Sequence, residues 1–143
     1  MKSRPIVGVL VGGVVDIVAT NLFALPVVLY AMAKFQVFGS PDAAHKLPLL
    51  MGGDPALFAT MSVLGATASA LGGYTAAWIA RRNELLVGAL SAYLCASFGI
   101  AALIHDTSGT PLVQHLAGFL LSPALGLLGG YVRQLQTRRL VRA

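Results

Sequence analysis

Charge is scarce in this sequence: ten Lys and Arg and five Asp and Glu make up 10% of 143 residues, against about 25% in ordinary soluble domains. With so few charges, no solvated polar shell is expected around a conventional core. Cysteine is reduced to Cys95, which excludes disulfide and CxxC chemistry within one chain. No GxSxG, HExxH or phosphate-loop pattern occurs. A catalytic assignment therefore has nothing to rest on, and neither an enzyme nor a cofactor is expected.

What fills the chain instead is apolar sequence. Hydrophobic residues are 57% of the total and the mean hydropathy is +0.79. Four segments, about 6–32, 56–80, 85–104 and 112–132, are long enough to cross a ~30 Å hydrocarbon layer at ~1.5 Å per residue. The expectation is an all-α integral membrane protein with four transmembrane helices forming one domain over 1–143. The first segment follows Lys2 and Arg4 as a signal peptide would. Its apolar run continues past Ala24 to Met32 without a small-x-small cleavage site, so it reads as a retained helix.

The basic residues give an orientation. Lys2, Arg4, Arg81, Arg82, Arg133, Arg138, Arg139 and Arg142 fall on one side of the four segments, and only Lys34 and Lys46 on the other. Positive charge collects in the cytoplasm, which predicts a multi-pass inner (plasma) membrane protein with both termini cytoplasmic. The net charge of +5 then reflects topology and contact with anionic lipid headgroups. The basic tail lacks a nucleic-acid-binding domain, so no nucleic-acid partner is expected.

The outer loop 34–54 is the one long connection. Ser40-Pro41-Asp42 resembles a helix start, and Phe35, Phe38, Leu47, Leu49, Leu50 and Met51 make the loop too apolar to float free. A short helix lying in the interface or over the bundle mouth is expected. Asp54-Pro55 and Thr110-Pro111 open the second and fourth segments in the same way. Asn83-Glu84 leaves almost no loop, making the second and third helices antiparallel neighbours.

Leu71-Gly72-Gly73-Tyr74 recurs as Leu128-Gly129-Gly130-Tyr131, and Val7-Gly8-Val9-Leu10 approximately as Val87-Gly88-Ala89-Leu90. The chain thus reads as two tandem antiparallel hairpins, a parallel internal repeat about an axis along the membrane normal. Small residues recur at steps of four: Gly8 and Gly12 in the first segment, Gly65, Ser69 and Gly73 in the second, Gly118, Ser122, Gly126 and Gly130 in the fourth. Such seams let backbones approach where lipid supplies no hydrophobic drive. Self-association, or assembly into a larger membrane complex, is expected of so short a bundle.

Asp16 stands out on this background, because an acid near the middle of a span is costly and faces the bundle interior. Ten residues from the inner ends, Asp16, Ser69, Cys95 to Ser97 and Ser122 reach one depth. The candidate site is therefore Asp16, Thr20, Asn21, Ser69, Ser97 and Ser122, binding a proton or cation. The same residues also serve a simpler role, as interhelical hydrogen bonds. A second candidate lies on the outer side, where His105, Asp106 and His115 share a depth suited to a metal ion or haem. Four spans with an acid in the first are superficially similar to small multidrug transporters. Those proteins carry glutamate and a weak charge bias, whereas this chain has Val14-Val15-Asp16-Ile17-Val18 and an eight-to-two bias, so no family is assigned. The leading expectation is a non-enzymatic self-associating or accessory membrane subunit. A proton- or cation-coupled transporter or channel centred on Asp16 is the alternative.

Overall fold

The structure is a computed structural model that describes residues 4–81, 83–104 and 112–142. It is all-α, with five helices and no strand among the described residues: α1 (Arg4–Lys34), α2 (Ala43–Gly53), α3 (Pro55–Ala80), α4 (Glu84–Ile104) and α5 (Leu112–Arg142). Two of them, α1 and α3, are long and apolar enough to cross a membrane. The helix ends follow local chemistry. Asp54 caps α3 by accepting from Ala56 N at 3.0 Å and Leu57 N at 3.2 Å, with Pro55 at the first helical position. Arg81 ends α3 in the left-handed region at φ 53°, and Asn83 follows at φ 49°, a tight reversal into α4. The fifth helix runs for 31 residues, roughly 46 Å, and so overshoots the expected 112–132 span by its basic tail.

Four long helices pack as a rhombus. Helix α1 touches α3 and α4, α5 touches α3 and α4, and α3 touches α4, while α1 and α5 make no contact among the described residues. Glycine sets the seams. On α1, a Cβ added at Gly12 would lie 2.7 Å from Gly72 O, and one at Gly72 would lie 2.7 Å from Gly12 O, so the two backbones are nearly in contact. Gly126 of α5 is wedged against both Gly73 of α3 and Gly88 of α4. A Cβ added at Gly65 would meet nothing within 4 Å among the described residues, so this glycine contributes to no seam between them.

The distribution of side chains is inverted relative to a soluble domain. Ala68, Ala76, Ala77, Ala80 and Ala92 make up most of the interior between the long helices, joined by Ser69, Ser91, Leu57 and Val87. Ile6, Leu10, Val14, Val18, Leu22, Leu25 and Leu29 form one exposed stripe along α1, opposite the buried Gly8, Gly12 and Asp16. Exposed hydroxyls bond to their own helix: Thr60 to Ala56 O, Ser62 to Phe58 O and Thr67 to Val63 O, each at 2.8 Å, and Thr75 to Leu71 O at 2.9 Å.

One end of the bundle is closed by α2. Leu47 and Met51 of α2 are buried with Ala31, Val37 and Leu57, and the Lys34 ammonium pairs with the Asp54 carboxylate across the mouth. At the opposite end, Tyr74 OH donates to Gln136 Oε1 at 2.8 Å and Thr137 to Glu84 Oε1 at 3.4 Å, joining α3, α4 and α5.

Two outcomes follow from this packing. Gly12→Ala should lower stability by about 1–3 kcal/mol, the range of an overpacked contact, while Gly65→Ala should be neutral or stabilising; thermal unfolding in detergent, followed by far-UV circular dichroism, checks both. The clasp should show a pH window. The hydrogen bond from Lys34 holds the Asp54 carboxyl below its ordinary 3.8, helped by the Leu57 amide, and that same bond to Asp54 holds the Lys34 amine above its ordinary 10.5. A depressed acid stabilises the fold above its unfolded value and loses this as pH falls through its folded one. A raised amine stabilises below its unfolded value and loses this as pH rises through its folded one. Full benefit therefore spans pH 3.8 to 10.5. Asp54→Ala should lower the melting temperature at neutral pH more than Asp54→Asn, which keeps a cap acceptor. The gap between wild type and Asp54→Asn should narrow at acid pH.

Candidate functional site

Antiparallel packing of α1 on α3 places Asp16 over Gly72, whose added Cβ would lie 2.7 Å from Asp16 Cβ. Only a residue without a side chain admits the acid so close to the α3 backbone. The result is an almost complete burial, with Asp16 at 1% exposure. Ser69 Oγ on α3 donates to Asp16 Oδ1 at 3.3 Å, and Thr20 Oγ1, one turn further along α1, donates to that oxygen at 3.4 Å. Cys95 faces the carboxyl from α4. Asp16 thus sits where α1, α3 and α4 meet.

This carboxyl is under-bonded. Both donor distances exceed the 2.5–3.0 Å usual for O–H···O bonds, and Oδ2 is buried with no hydrogen-bond partner among the described residues. Buried polar atoms are nearly always satisfied, so an orphaned acid oxygen calls for a physical account. The oxygen set of Asp16, Ser69 and Thr20 can hold a proton or a small dehydrated cation. Among the described residues no three His, Cys, Asp or Glu side chains converge as a metal site would require.

The remaining expected residues fall elsewhere. Asn21 is exposed and donates to Ile17 O of its own helix at 2.8 Å, and Ser97 is exposed and donates to Tyr93 O at 2.7 Å. Neither reaches Asp16. Ser122 is half-buried on α5, a helix that does not touch α1. Of the packing glycines, Gly8, Gly12, Gly73, Gly126 and Gly130 lie at helix contacts and Gly65 does not. Helix α5 includes Gly118, whose surroundings lie outside the described residues, as do His105, Asp106 and the side chain of His115.

Two participants, Cys95 and Gly72, are not among the expected site residues, although Cys95 stands at the expected depth and Gly72 in the repeated motif. The repeat makes Ala96 the counterpart of Asp16, and parallel packing of α1 on α4 brings its neighbour Cys95 to the acid. Gly72 is the first glycine of the repeated pair, and of the two it is Gly72, not Gly73, that meets Asp16.

Comparison with known families, curated proteins and solved structures finds no match. The site is therefore characterised by its own geometry alone. If Ser69 and Asp16 interact energetically, a double-mutant cycle of Asp16→Asn and Ser69→Ala, read by unfolding in detergent, should give a coupling of about 0.6–2 kcal/mol. A coupling near zero would make them mere neighbours.

Proposed function

We propose that the chain is a small multi-pass membrane protein that acts without catalysis, as a self-associating or accessory subunit of a membrane complex. In this reading the spans are 6–32, 56–80, 85–104 and 112–132, arranged as two tandem hairpins in a bacterial-type inner membrane with both termini in the cytoplasm. One observation carries it: between the long helices the buried residues are mostly Gly, Ala and Ser, with larger apolar side chains buried mainly beneath α2, while many Leu, Ile and Val side chains are exposed on the outside. In water such a surface would far exceed the apolar patches that monomers tolerate, whereas in lipid it is the matching solvent. The self-bonded hydroxyls agree, since in hydrocarbon every polar group has to be satisfied internally. The bilayer and a second copy or larger complex are then the partners, with anionic headgroups at the basic side.

Carbonate washing and reporter fusions test this reading. The protein should stay with membranes, a periplasmic reporter should be active only when fused within 34–54, and a C-terminal cytoplasmic reporter should be active. A C-terminus on the outer side overturns the topology.

A second reading is favoured by the orphaned Oδ2 of Asp16: proton- or cation-coupled transport through the Asp16, Ser69 and Thr20 site. Asp16→Asn retains shape but cannot carry a proton. Liposomes bearing a pH gradient should show flux with wild type and at least a tenfold loss with Asp16→Asn if the site transports. Equal, negligible flux in both leaves Asp16 as an interhelical lock.

A further inference from the structure

At the end of the bundle where α1 begins and α3 finishes, Arg4, Trp78, Ile79 and Arg81 line an open groove of about 260 Å³. Antiparallel packing builds it. Gly8 lies against Ala76 and Ala80, so the preceding turn of α1 brings Arg4 level with Arg81. Neither arginine has an ion-pair partner among the described residues: the ion pairs there are Lys34 with Asp54 and Lys46 with Asp42, both at the opposite end. Glu84 is the acid at this end, and it accepts from Thr137 on α5. Two cations therefore share one groove without a counter-charge among the described residues. The other two lining residues are Trp78, which is 52% exposed, and Ile79.

We propose that this groove holds the phosphodiester of an anionic phospholipid. The proposal rests on the membrane reading above and adds a defined headgroup site to it. Guanidinium groups present planar paired donors that match phosphate oxygens. A tryptophan beside them suits the interfacial level, where its ring lies against glycerol and the first acyl carbons while its N–H reaches polar groups. Ile79 extends the apolar wall on which an acyl chain can lie. A free phosphate ion would use the arginines but gain nothing from Trp78 and Ile79, which is why a lipid is the fitting occupant.

Trp78 is the sole tryptophan, so its emission reports on the groove directly. The full chain in a neutral detergent is titrated with short-chain phosphatidylglycerol, short-chain phosphatidylcholine and inorganic phosphate. Phosphatidylglycerol should produce a saturable emission shift. Arg4→Gln and Arg81→Gln should each weaken its apparent Kd about tenfold, the scale of one lost charge-assisted hydrogen bond. Should the glutamine variants lose helicity, Arg4→Lys and Arg81→Lys keep the charge and should still weaken binding measurably. An equal response to phosphatidylcholine, saturation by inorganic phosphate alone, or unchanged affinity in the folded variants overturns the proposal. Carbonate washing separates the two levels. A membrane-resident protein without phosphatidylglycerol preference refutes the groove alone, while a protein released by the wash refutes the membrane reading beneath it.

Discussion

Contact between bare backbones is the constraint on which this fold depends. Gly12 against Gly72, and Gly126 against Gly73 and Gly88, bring helix axes closer than any side chain would allow, and close backbone contact of this kind gains dispersion along the seams. The rhombus follows from where these glycines sit. Gly126 faces two helices at once, so α3, α4 and α5 form a three-helix node to which α1 is added along the Gly8 to Asp16 face. Among the described residues the contact between α3 and α4 has no counterpart between α1 and α5. Whatever symmetry the repeated motifs began with, the packing no longer has it.

The buried acid depends on the same constraint. Asp16 occupies space that exists because Gly72 has no side chain, and its surroundings are supplied by three different helices. Eighty residues on, at the offset of the Val7-Gly8 and Val87-Gly88 motifs, stands Ala96, which has no polar side chain. Burial at a three-helix junction makes the carboxyl a sensitive reporter of helix spacing, since a shift of any one helix changes the number of groups it can reach.

Much of this was legible in the sequence, for reasons that can be named. Helix positions were readable because long apolar runs are interrupted only by Asp54-Pro55 and by the Arg81 to Glu84 turn, whose chemistry is local. The link between Asp16 and Ser69 was readable because both stand at steps of four on small-residue stripes at one depth. Rotational details were not. Ser97 shares that depth and Asn21 lies next to the stripe, but both point outward and bond to their own helices, as a hydroxyl or amide on a helix can do by turning back to the preceding carbonyl. The role of Cys95 needed the lateral arrangement of α1 and α4, which no local pattern encodes. Helix α5 continues past the expected 112–132 span because hydropathy marks the edge of an apolar run, while helix propensity carries on through Arg133 to Arg142.

The self-bonded hydroxyls have a wider consequence. Thr60, Ser62, Thr67, Thr75 and Ser97 each spend their donor on a carbonyl of their own helix, which leaves the outer faces almost silent in hydrogen-bonding terms. A partner helix approaching such a face finds few directional handles to read. Recognition there has to be a matter of relief, the fit of ridges of Leu and Val against hollows, and selectivity among partners would be written in side-chain volume rather than in polarity.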